Sequence, residues 1–235
     1  HLTADARALN GGGPAARETM ERAQPVPLEE ALRNRKLVIE GKPGGGKTTF
    51  VRWIAWMLCQ PAGPSPKLAV RGFPLWVRIS QLDQHIANTL TRRQAGDPTT
   101  PEDARWIAHF LASQGWDLDE VFFRERLEAE DTILLLDGLD EVANQTRRES
   151  IVETIQLAAA QSRCRIVVTT RPGAHEGRAT LVGFEKATID DLDDPGIDGF
   201  LLQWCRWLKR GNEAAAQDYY AEIRPAVAVP SIHIL

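Results

Sequence analysis

Three stretches carry residue types that could act on phosphate. Residues 41–49 read GKPGGGKTT, which fits G-x-x-x-x-G-K-[ST] with Gly41, Gly46, Lys47 and Thr48 at the fixed positions. A polyphosphate needs a row of backbone N–H groups aimed at its oxygens. Glycines let the backbone turn and approach closely enough to supply them, and Gly44 and Gly45 extend the row. A helix opening at Thr48 and Thr49 points its positive end at the same anion. Lys47 adds a charge between the outer phosphates, and Thr48 offers a hydroxyl to magnesium. A glycine-rich turn that merely contains a lysine is the bland alternative, and the apolar run Leu37-Val38-Ile39 before the loop argues against it.

The second stretch, residues 133–141, reads ILLLDGLDE. Four apolar residues deliver Asp137 to a strand end, where a carboxylate beside the phosphate loop can hold a magnesium-bound water. Asp140 and Glu141 form a further acidic pair at the same edge. One of them could polarise a water for attack on the terminal phosphate; the alternative is a helix start, which also suits acids. A third run, IVVTTRP over 166–172, ends a strand in hydroxyls and an arginine. Arg171 could reach the terminal phosphate with its planar fork of donors, although an arginine after a strand is common on any surface.

Strands must bring these residues to one edge. The apolar runs predict strands over 37–39, 74–79, 132–136, 165–170 and 185–189, separated by helical stretches. Such alternation calls for a parallel sheet covered on both faces. The expected fold is α/β, a three-layer αβα with five parallel strands in the order 5-1-4-3-2. A short helix over 28–33 should precede the first strand. Phe50, Trp53, Ile54, Met57 and Leu58 recur at helical spacing, with the Pro/Gly run 61–66 ending that helix. Residues 80–130 read as a helical insertion. Thr100 is expected to cap one helix, with Pro101 in its first turn, Ala104, Ile107, Ala108 and Leu111 on its face and Gly115 at its end; Asp117 with Glu120 opens the next. From about Asp193 the chain is helical again, with Phe200, Trp204, Trp207 and Leu208 in one stripe. Residues 1–24 are expected to be a linker, 25–192 the phosphate-binding domain and 193–235 a truncated helical subdomain. Both ends suggest a piece of a longer protein, since the chain opens on His1 and closes on apolar SIHIL.

With 235 residues, 43% hydrophobic, the chain can bury a full core. Its net charge of -4 exerts no global pull toward nucleic acid or anionic membrane, so neither is an expected partner. Cys59, Cys164 and Cys205 lack C-x-x-C spacing and are expected to be reduced core thiols of a cytoplasmic protein. His85, His109 and His175 have no partner at ligand spacing, so surface or core roles are expected of them.

In order and spelling, the three motifs resemble those of the NACHT nucleoside triphosphatases, a branch of the STAND signal-transduction ATPases that includes NOD-like receptors and bacterial regulators. The resemblance covers 25 to about 210 and rests on GKPGGGKTT, the small residue after Asp137 in DGLDE, TTRP, and the PLWVR run at 74–78. It implies ATP or GTP with magnesium, held by Lys47, Thr48 and Asp137, hydrolysis through Asp140 and Glu141, and Arg171 as sensor of the terminal phosphate. It also implies a helical subdomain over the nucleotide, with Pro230 against the base, and effector and sensor domains elsewhere in a self-associating signalling or innate-defence protein. The expected function is a slow nucleotide-controlled switch. A P-loop kinase for a small molecule or nucleotide and a non-hydrolysing scaffold are the rivals; the acids of DGLDE speak against the scaffold.

Overall fold

The computed structural model describes residues 5–6, 26–60, 68, 70–92, 94, 97–98, 100, 102–189 and 193–227. Its first half runs β1 (Asp5–Ala6), β2 (Val26–Pro27), α1 (Leu28–Ala31), β3 (Lys36–Gly41), α2 (Lys47–Leu58), β4 (Phe73–Arg78), α3 (Ile79–Arg92) and α4 (Trp106–Ala112). Then follow α5 (Glu120–Glu128), β5 (Thr132–Asp137), α6 (Gln145–Gln161), β6 (Arg165–Thr170), β7 (Glu185–Ile189), α7 (Asp194–Leu208) and α8 (Glu213–Val227).

Five strands pair in parallel in the order β7-β3-β6-β5-β4, the expected 5-1-4-3-2 arrangement. The sheet goes further than expected. Ala6 pairs antiparallel with Ile189, and Asp5 and Ala6 pair with Pro27 and Val26, so part of the supposed linker extends the edge beyond β7. A two-residue strand is too short to leave a periodic signal, yet it satisfies backbone groups that an open edge would leave bare.

Strand alternation sorts the core into two layers. Leu37, Ile39, Ile133, Leu135 and Val167 face Val51 and Ile54 of α2. Val38, Leu134, Leu136, Ile166 and Val168 face the opposite way, toward Ile79 and Leu82 of α3, Trp106 and Ile107 of α4, and Ile151 and Ile155 of α6. All six residues of β5 are buried, as a central parallel strand requires. Two residues beyond Leu135, the same alternation turns Asp137 toward α2; two beyond Val167, it turns Thr169 there too.

Two helix starts differ from expectation. α4 begins at Trp106, not behind Thr100. The Asp103 carboxylate accepts the Arg105 N–H at 2.8 Å and the Thr100 carbonyl accepts the Trp106 indole N–H at 2.7 Å, so a local turn at Asp103 precedes the helix. Pro101 and residues 61–66 lie outside the described residues. α5 is capped by Asp119, whose carboxylate accepts the Phe122 N–H at 2.8 Å, whereas Asp117 turns the chain with φ 59°.

At the C-terminal end Asp193 caps α7, accepting the Gly196 N–H at 2.8 Å. α7 and α8 pack through buried Leu201, Cys205 and Ala216. Arg206 bonds both Glu213 oxygens, and Arg224 reaches Asp194 and Asp198. The stripe residues Phe200, Trp204, Trp207 and Leu208 remain exposed. Cys164 and Cys205 are buried free thiols as expected, but Cys59 is exposed where α2 ends.

Candidate functional site

β3 ends at Gly41 and the chain then turns tightly, with the Gly45 N–H donating to the Lys42 carbonyl at 3.1 Å. Gly44 (φ 75°) and Gly46 (φ 82°) both lie in the left-handed region that disfavours a Cβ. A Cβ on Gly45 would meet the Lys42 carbonyl at 3.1 Å, so the turn also needs its bare backbone there. Gly46 opens α2 without a side-chain cap, and no acid lies in the first turn. The N-terminal amides of α2 therefore present partial positive charge with no acidic side chain of the helix's own first turn to answer it.

Lys47 arches over the loop, its Nζ donating to the carbonyls of Gly41 at 2.6 Å and Lys42 at 2.9 Å. Desolvation pulls its pKa below the ordinary lysine value; Asp140 opposes that shift, Arg171 adds to it, and Asp137 opposes it more weakly. Thr48, the next residue, donates from Oγ1 to Asp137 Oδ1 at 3.2 Å.

Asp137 is 3% exposed and also accepts the Thr169 hydroxyl at 2.7 Å, while Thr169 Oγ1 accepts the Gly138 N–H at 2.9 Å. That buried chain of bonds joins β5 to β6. Gly138 then takes φ 82°, where a Cβ would meet the Glu141 side chain at 2.8 Å. The reversal buries Leu139 and returns Asp140 and Glu141 to the cleft on a single helical turn. Asp140 Oδ2 lies 2.7 Å from Arg171 Nε, and Glu141 Oε2 accepts the Ser80 hydroxyl at 3.0 Å.

Gly44, Gly45, Gly46, Lys47, Thr48, Thr49, Asp137, Asp140, Glu141 and Arg171 thus line one cleft of about 230 Å³. Gly41 underlies it through the carbonyl that Lys47 holds. Pro230 lies outside the described residues. A family model described as the NACHT domain matches residues 35–207. The chain belongs to the NACHT family.

NACHT domains are P-loop nucleoside triphosphatases, so the cleft is that of a nucleotide-binding ATPase family. Among solved structures, the AAA domain of FIGL-1 in complex with ADP is similar at 16% identity with a TM-score of 0.39. The match covers 86% of this chain, and the chain spans 63% of that domain. None of the curated proteins matches.

Two residues of this NACHT site were not singled out in the sequence. Thr169 had a readable signal, since it lies two residues before Arg171 on a strand that ends in hydroxyls. Ser80 had none; only the docking of α3 against the turn 139–141 brings it to Glu141.

The histidines of the NACHT domain sit in or beside the core, and they are not solitary. His85 Nε2 lies 2.8 Å from His109 Nδ1, and His109 Nε2 lies 3.3 Å from Asp97. Burial and the neighbouring His109 lower the His85 pKa. His175 is 2% exposed, its Nε2 accepts the Leu181 N–H at 2.6 Å, and its Nδ1 lies 3.5 Å from Glu40. Sequence spacing could not show these pairs, since each joins separate elements or loops. No group of three or more metal-ligating side chains occurs among the described residues, and no described helix is long and apolar enough to cross a membrane.

Proposed function

We propose that the chain is a nucleotide-controlled switch that binds ATP with magnesium and hydrolyses it slowly. The observation that carries this reading is the convergence of Lys47, the Thr48–Asp137 pair, Glu141 and Arg171 on one cleft at the start of α2. Lys47 would exchange its loop carbonyls for phosphate oxygens, a charge-assisted bond about twice as strong as a neutral one. The loop and α2 amides would take the remaining oxygens.

Thr48 Oγ1 and Asp137 Oδ1, 3.2 Å apart, form an oxygen-only donor set that suits magnesium. When bound, magnesium neutralises charge on the transferring phosphate. Thr169 holds the Asp137 carboxylate in place for that task. Glu141, oriented by Ser80, would polarise the attacking water. Arg171 would read the terminal phosphate.

The proposal extends to a helical subdomain made of α7 and α8 over the nucleotide, with Pro230 against the base. It also includes cytoplasmic residence, effector and sensor domains on a longer protein, and nucleotide-dependent self-association. Phosphate release under saturating Mg-ATP tests the switch. A switch lacking a supplied arginine turns over at about 10⁻³ per second or below, whereas a kinase given its acceptor runs at about 1 to 100 per second. Turnover in the latter range on adding candidate acceptors would replace the switch by the kinase.

A further inference from the structure

We propose that Asp140 occupies Arg171 in place of the terminal phosphate, so that this pair sets how strongly the cleft prefers a triphosphate over a diphosphate. The inference rests on the nucleotide reading above and concerns regulation of the same cleft.

Asp140 is the fixed member of the pair. Its turn starts at Gly138 in the left-handed region and is anchored by Leu139, which is fully buried. Its carboxylate is 11% exposed against 53% for Arg171. Arg171 is the movable member, carried on a long side chain past the end of β6. Their contact uses Nε at 2.7 Å, one of the five N–H donors of a guanidinium. A terminal phosphate offers several charged oxygens to the planar fork and is the stronger partner.

Lys47 lines the same cleft, and of the charges that favour its ammonium form Asp140 contributes most. Asp140 therefore acts on both of the cations that a terminal phosphate would bridge, Arg171 by direct contact and Lys47 through its charge. A triphosphate must draw Arg171 away from it. A diphosphate lacks the group that competes for Arg171 and leaves the pair intact. Asp140 is in this account a positioning residue acting through Arg171, not the base that activates water.

Titrations of ADP and of a non-hydrolysable ATP analogue, both with magnesium, into the wild-type chain and its variants test this. In Asp140→Asn, which keeps the shape and removes the charge, the ratio of ADP to analogue dissociation constants should rise at least about fivefold, the lower end of usual coupling factors. Arg171→Ala should lower that ratio, and Asp140→Asn should no longer raise it when combined with Arg171→Ala. An unchanged or lowered ratio in Asp140→Asn overturns the proposal, as does slowed hydrolysis with an unchanged ratio, which would mark Asp140 as a base. Should Asp140→Asn fail to fold, Arg171→Ala decides alone, since an unchanged ratio there is equally fatal. Failure of the wild type to bind either ligand would overturn the nucleotide reading and this inference together, whereas binding without the ratio shift removes only the inference.

Discussion

The cleft and the α7–α8 pair both depend on charged side chains, but the charges are used in opposite ways. In the cleft, Asp137 is buried and satisfied by two threonine hydroxyls, on an element whose neighbours fix it on both sides. Between α7 and α8 the acids are largely exposed partners of Arg206 and Arg224, with Asp194 84% and Glu213 55% exposed. Exposed pairs of that kind contribute about 0 to 1 kcal/mol each. The helical pair is therefore held mainly by Leu201, Cys205 and Ala216, with the Trp204–Tyr219 ring contact and Lys209 over the Tyr219 ring beside them. Rigid charge placement belongs to the sheet edge, and a small apolar contact with an aromatic outer face belongs to the helices.

The largest expected effect would break the cleft side of that contrast. Lys47→Ala removes the cation that spans the loop and should abolish nucleotide binding. Thermal melting with and without Mg-ATP measures it: ligand at about 100 times its dissociation constant stabilises a binding protein by about 2.7 kcal/mol. The wild type should show that gain and the variant none. An equal gain in both would remove Lys47 from the site.

A smaller effect is expected at Glu141, whose carboxylate is aimed by Ser80. Glu141→Gln should retain affinity and slow phosphate release at least tenfold, about 1.4 kcal/mol of barrier. Ser80→Ala should lower turnover less and leave dissociation constants unchanged. Wild-type turnover in Glu141→Gln would reduce the acid to part of a turn.

How much of this was readable follows the same division. The loop, Asp137 and Arg171 lie at the ends of parallel strands, so the point where each apolar run gives way to polar residues fixes the sheet edge they reach. Thr100 and Asp117 misled because capping depends on which nearby donors compete, as the Asp103 turn does at α4. Ser80 and the His85–His109 pair join separate elements, and no spacing along the chain encodes such meetings. At α7 the helical period showed that a stripe exists. It carried no information on whether the chain covers it, and the structure buries Leu201 and Cys205 instead.

Acid should distinguish the two regions as well. Burial, reinforced by Lys186 and opposed by Glu40, lowers the His175 pKa, so the unfolded chain binds this proton more readily than the folded one. The associated stability is fully present above the ordinary imidazole value of about 6.5 and is lost as pH falls below it, by at most about 1.4 kcal/mol per pH unit for one proton. His85 shifts in the same direction. Residues 194–227 contain no histidine, so this loss belongs to the sheet side. Melting curves between pH 7.5 and 5 should fall less steeply for His175→Gln than for wild type. Parallel curves would show that His175 keeps its ordinary titration in the fold.

The smallest effect is expected at Trp207, and it sharpens the other side of the contrast. Trp207 is 75% exposed, on the face of α7 turned away from Leu201 and Cys205. A large aromatic placed in a core would lose about 3 to 5 kcal/mol on truncation. A residue already in water has little burial to lose, and serine is only slightly poorer than tryptophan in a helix. Trp207→Ser should therefore change stability by no more than about 0.5 kcal/mol in urea unfolding, with the slope against denaturant unchanged. A loss above about 1 kcal/mol would mean that this face of α7 is covered within the chain, and the division between a rigid sheet edge and a lightly held helical pair would fail.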